Sequence, residues 1–152
     1  MSLDDKSGTC EHVVGFYRQE DALIAGVSEF LAPELDGGGA IVIIAFPAHR
    51  VALERALTNL GHSMAVLSRE NRVQSLDADA TLSTFMLGEH PDPDRFHATM
   101  EPILRAAGRG AHSVRVFGDM VALLWERGNL TAALELESLW NDLIGAWGFS
   151  LY

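Results

Sequence analysis

Three side chains stand where they could do chemistry: His49, Asp119 and Glu137. His49 follows the apolar run Ala40 to Phe46 and Pro47, and Asp119 comes two residues beyond Val114 to Phe117. Both positions lie past the carboxyl end of an expected strand, where open α/β sheets hold ligands. An imidazole there can donate, accept or shuttle a proton at neutral pH. A carboxylate beside it can orient a ligand or cap the helix that starts there. Projection at 100° per residue sets His49 on one stripe with Leu53, Ala56 and Leu60, pointing inward as a ligand contact or as the polar group that satisfies a helix start. The same projection puts Glu137 among Leu130, Leu134, Trp140 and Ile144, with Glu135, Ser138 and Asp142 on the wet side. A carboxylate on an apolar face must be hydrogen-bonded, paired or protonated, so Arg115 and a bound ligand are its two candidate partners.

Other chemistries lack their parts. Gly37-Gly38-Gly39 precedes its strand, whereas a phosphate loop follows one and carries a lysine into the next helix. The segment in the right place, Phe46-Pro47-Ala48-His49-Arg50-Val51, has neither the glycines nor the lysine. Six histidines show no i,i+4 pair and no zinc motif, and no Gly-x-Ser-x-Gly elbow is present. Nothing at fixed spacing names a reaction, so the chain is expected to be neither an enzyme nor a cofactor or metal carrier. Trp125 and Val121 project away from the stripe of Met120, Leu123 and Leu124, which makes that short helix apolar on two sides. It is either enclosed or in contact with a protein partner, a second copy of the chain included.

These residues need elements to position them, and the chain alternates between strand-like and helix-like segments. That alternation predicts an α/β fold of three layers, with a mainly parallel central sheet of about five strands. Expected strands are His12 to Tyr17, Ala40 to Phe46, Met64 to Leu67, Ser113 to Phe117 and Phe149 to Tyr152, with a short extended piece at Arg72 to Leu76. Ala40 to Phe46 is apolar without alternation, as a strand buried on both faces should be. Expected helices are Glu20 to Leu35, its last turn disturbed by Pro33; Ala48 to Leu60; one from Asp77 or Asp79 to about Leu87; Pro93 to Ala107; Asp119 to Arg127; and Leu130 to Trp147. Gly88 to Pro91 is expected to be a loop.

The chain has 152 residues, 48% of them apolar, which suits one domain over residues 10–152 behind a polar lead-in at 1–9. Eleven basic residues against 21 acidic ones give a formal charge of −10, which disfavours nucleic acid and anionic membranes. Cys10 is the only cysteine, so no intrachain disulfide can form, and with no spanning segment or signal peptide a cytoplasmic location is expected.

The ordered set of segments resembles the MEDS family, the sensory domain of methanogen and methylotroph regulators of the DcmR type. The pieces are His12 with Phe16-Tyr17, Ala40 to Phe46 followed by His49, Val114 to Met120, Glu137-Ser138-Leu139-Trp140 and Phe149 to Tyr152, so the resemblance covers the chain from about residue 11. It implies a Rossmann-like or RecA-like sheet without a phosphate loop, used to sense small molecules, hydrocarbon derivatives among them. It also implies a signalling partner: a kinase, a transcription regulator or a sigma-factor control protein. Carried over by position, His12, Tyr17, His49, Asp119 and Glu137 are the ligand-binding set. Asp119 stands where the family often has Glu, and the chain stops at Tyr152 where the family's last strand usually continues. The rival expectation is a ligand-free docking or dimerisation module working through Trp125 and Val121, and a degenerate nucleotide-binding domain is the third.

Overall fold

A computed structural model of the chain describes residues 12–13 and 19–152. The central strand, β1 (Ala40–Ala45), is buried at every position, as its unbroken apolar sequence requires. It pairs in parallel with β2 (Val73–Asp77) on one side and β5 (Val114–Gly118) on the other, and β6 (Ser150–Leu151) continues the sheet in the order β2-β1-β5-β6. His12 adds an isolated parallel bridge to Leu151, and the rest of the expected first strand, Tyr17 included, lies outside the described residues. Among the described residues the sheet therefore has four strands and a bridge, where about five strands were expected over the whole chain.

Side chains of β1 alternate between two cores. Ile41, Ile43 and Ala45 meet Val27, Leu31 and Leu35 of α1 (Glu20–Asp36), Leu53 and Leu57 of α2 (Pro47–Asn59) and Leu67 of α3 (Met64–Arg69). Ala40, Val42 and Ile44 meet α4 (Ala78–Phe85), α5 (Pro93–Ala107), α6 (Met120–Glu126) and α7 (Leu130–Trp147). Helices thus cover both faces, which is the three-layer arrangement that alternating strands and helices predict. The α5 stripe of Phe96, Met100, Leu104 and Ala107 is buried as its spacing requires.

Three local expectations are corrected. Met64 to Leu67 is the start of α3, not a strand: Ser63 accepts the Val66 amide at its N-terminus, and only Leu67 is buried. Four apolar residues fit either period, and the cap together with one-sided burial decides between them. The strand beside β1 on the side away from β5 is instead β2, the segment that looked like a short extended piece. The helix expected to reach Leu87 ends at Phe85, and Met86–Leu87 (β3) pairs with His90–Pro91 (β4) as a small hairpin turning at Gly88, whose φ is 60°. Pro33 lies inside the last turn of α1, which runs to Asp36, one residue past the expected end at Leu35.

The glycine run has a packing role. Glu34 of α1 is buried, with its carboxylate held by Arg115 Nε at 3.1 Å and by the Ser113 hydroxyl. A Cβ on Gly39 would overlap that carboxylate and stand 2.8 Å from Glu34 Cγ. Gly39→Ala is therefore expected to push Glu34 off both partners and to cost roughly 1–3 kcal/mol in chemical denaturation, as overpacking typically does. A variant as stable as the parent would show that Glu34 does not need this space.

Candidate functional site

Order along the sheet places the site. The chain leaves β1 towards β2 on one side and leaves β5 towards β6 on the other, so the gap between the ends of β1 and β5 is where the connections diverge. Open α/β sheets have a crevice at such a point. Ile44 and Gly118 are register partners, and the residues just beyond them converge there. The Asp119 amide donates to Ile44 O at 2.8 Å, which turns the aspartate towards β1.

Asp119 is 4% exposed, yet it does not cap its own helix through its side chain. Its Oδ2 accepts the Phe46 amide at 2.9 Å and meets His49 Nδ1 at 2.7 Å, so it ties the start of α2 to the end of β5. While Asp119 is ionised it can only accept, so His49 Nδ1 carries the proton of this bond and a neutral imidazole presents Nε2 as an acceptor. Nε2 lies 3.9 Å from Glu20 Oε1, at the first residue of α1, and the Phe46 ring stands 5.4 Å from the imidazole between centroids. Beside this pair, Arg50 Nε donates to Ser75 Oγ at 2.9 Å, joining α2 to the middle of β2.

Burial is the largest influence on the Asp119 carboxyl and raises its pKa above the usual 3.8, against the lowering effects of the Phe46 amide and His49. Glu126 adds a smaller upward push. The folded chain therefore holds this proton more tightly than the unfolded chain does. The resulting stability is fully present below pH 3.8 and is lost as pH rises through the folded value.

His12 and Glu137 form a second cluster. His12 Nε2 is 3.3 Å from Glu137 Oε2 and Nδ1 is 2.7 Å from Asn141 Oδ1. Among the described residues, no hydrogen bond or ion pair links this cluster to His49 and Asp119. Glu137 is half-buried rather than enclosed, and Arg115 is not its partner, being held by Glu34 and the Phe30 carbonyl. The wheel reading erred because the buried stripe of α7 runs through Ala132, Ala133, Leu136, Trp140 and Leu143, leaving Leu130 and Leu134 exposed. On α2 the buried neighbours of His49 are Leu53 and Leu57, while Leu60 caps the helix and is exposed. Val121 is half-buried against the core, and Trp125 is 53% exposed.

Sequence reasoning missed Glu20 beside His49 and the Glu34 network. Glu34 was within reach, since Val27, Leu31 and Glu34 follow helical core spacing. Among the described residues, no group of three or more potential metal ligands occurs, and no helix is long and apolar enough to cross a membrane.

The family described as MEDS, MEthanogen/methylotroph, DcmR Sensory domain, matches residues 11–152. The chain belongs to the MEDS family. No curated protein and no solved structure matches it. Within this MEDS domain, the apolar β1, the turn into α2 that bears His49 and the β5 end that bears Asp119 all fall inside the matched residues.

Proposed function

We propose that this sensory domain binds a small, largely apolar molecule at the carboxyl ends of β1 and β5 and relays its presence to a signalling partner without catalysing a reaction. The observation that carries this reading is the buried Asp119–His49 pair. A carboxylate that burial disfavours is kept where connections diverge, and it aims a conditioned imidazole nitrogen outward. The acceptor at Nε2 suits a ligand with one hydroxyl donor on a hydrocarbon body, such as a short alcohol. Glu20 Oε1 stands 3.9 Å from Nε2, so a ligand reaching Nε2 displaces the Glu20 carboxylate. That displacement couples occupancy to the start of α1, which supplies the two states a signal requires. Tyr17, two residues before Gln19, is proposed as a further ligand contact, and His12 with Glu137 as a more distant polar set. The partner is proposed to be a kinase, a transcription regulator or a sigma-factor control protein.

Thermal-shift and calorimetric titration with short alcohols, their parent hydrocarbons and haloalkanes tests this. Saturable stabilisation by alcohols is expected, reaching about 2.7 kcal/mol at a hundredfold excess over Kd, and it should disappear in His49→Ala. Flat responses of the parent chain to the whole panel would overturn the reading. The exposed Trp125, with Leu134 of the adjoining α7 at 67% exposure, favours a second reading in which α6 docks a second copy of the chain. Sedimentation decides it: a dimer that dissociates on Trp125→Asp while keeping its fold would support docking.

A further inference from the structure

At the opposite end of the sheet, a cleft of about 420 Å³ opens between the end of α5, the end of α7 and the start of β5. That volume is ordinary for a small-molecule site. Its floor is apolar, with Leu104 and Phe149 each 3% exposed and Val114 packed against the core. Its rim carries Arg105, whose guanidinium carbon lies 5.6 Å from the Trp147 ring centroid, and Arg109 just past the end of α5. Among the described residues neither arginine is within ion-pair distance of a carboxylate. Glu101, one turn before Arg105, is engaged by His97 at 3.2 Å, and Glu34 by Arg115 and Ser113.

Charge accounting narrows the ligand. Two helix C-termini meet at this cleft, and each presents about −0.5 of an elementary charge through its free carbonyls. Two guanidiniums exceed that by roughly one positive charge. In a chain of net charge −10 this local excess is not an average property of the surface. We infer that this cleft is a second ligand site, taking a small monocarboxylate with an aromatic or short aliphatic body. The carboxylate is bound by Arg105 and Arg109, and the apolar part lies on Leu104 and Phe149 beside Trp147. Charge-assisted bonds to guanidinium give the affinity its dependence on the anion, and the apolar floor gives it a preference for a carbon body over inorganic anions.

Calorimetric titration of the full chain with phenylacetate, followed in parallel by tryptophan emission, tests the inference. Saturable one-site binding is expected. Neutral phenylacetamide should bind more weakly by about tenfold, and Arg105→Gln or Arg109→Gln should each weaken phenylacetate by about tenfold while far-UV circular dichroism is unchanged. The emission change should be lost in Trp147→Phe, and His49→Ala should leave phenylacetate binding intact, which separates this site from the one at the other end of the sheet. The inference is overturned by an absence of saturable heat at millimolar phenylacetate, or by equal binding of the amide. Arginine variants that lower the melting temperature yet bind phenylacetate normally would also overturn it, because the guanidiniums would then serve only the helix ends.

Discussion

Replacing Asp119 by alanine is expected to cost about 2–4 kcal/mol, because the Phe46 amide and His49 Nδ1 lose their common acceptor in a buried place. At the usual sensitivity of a chain this size, the melting temperature falls by roughly 4–16 °C. Asp119→Asn should behave differently. Both bonds converge on Oδ2, so an amide oxygen placed there still accepts from the Phe46 amide and from His49 Nδ1–H, and the buried charge is gone. At neutral pH that variant is expected to match or exceed the parent in stability. Since the raised folded pKa makes the parent lose this contribution as pH rises above 3.8, the advantage of the asparagine variant should grow across the same interval and then level off. Denaturation midpoints of the three proteins measured from acid to neutral pH check this. An asparagine variant as damaged as the alanine one at neutral pH would mean that charge, and not hydrogen bonding, holds the crevice together. His49 then keeps its proton on Nδ1 and its acceptor at Nε2, so the asparagine variant should retain the response to alcohols that we propose for the parent.

Trp140→Ala is expected to be the most damaging single change in the core. The indole is 2% exposed on α7, with Phe96 edge-on at a centroid distance of 5.2 Å and Phe149 at 6.1 Å. Large-to-small replacement of a buried aromatic costs about 3–5 kcal/mol, through lost transfer free energy and the cavity left behind. That is a third or more of the whole stability of many domains, so a melting temperature lower by roughly 6–20 °C is anticipated from circular dichroism. Phe96 links this indole to Phe85 of α4, its ring edge-on there too at 5.2 Å, so the loss spreads across the layer formed by α4, α5 and α7. A loss below about 1 kcal/mol would show that the ring does not anchor α7 to the sheet.

Much of the architecture was legible in the chain because period and punctuation agree locally. Ala40 to Ala45 has no polar residue to turn towards water, so only a central parallel strand suits it. Asp92-Pro93 starts α5 with its carboxylate on the Arg95 amide, and Asn129 starts α7 in the same manner through the Ala132 amide. Met64 to Leu67 was not legible, since four apolar residues carry too little period to choose between helix and strand. Glu137 misled for a related reason: leucines at positions 130 and 134 marked a stripe by composition, while packing against the sheet selected the stripe of Leu136, Trp140 and Leu143.

The sequence by itself determined that strands alternate with helices, that one strand is buried on both faces, and that His49 and Asp119 each follow a strand. Those properties depend on neighbours a few positions apart. Only the tertiary structure decided that Asp119 reaches Phe46 and His49 across 70 or more residues, that Arg115 answers Glu34 instead of Glu137, and that Arg105 meets Trp147 at the far end of the sheet. The reason is that hydrogen bonds and ion pairs act over a few ångströms, and strand order, not distance along the chain, sets which side chains come that close.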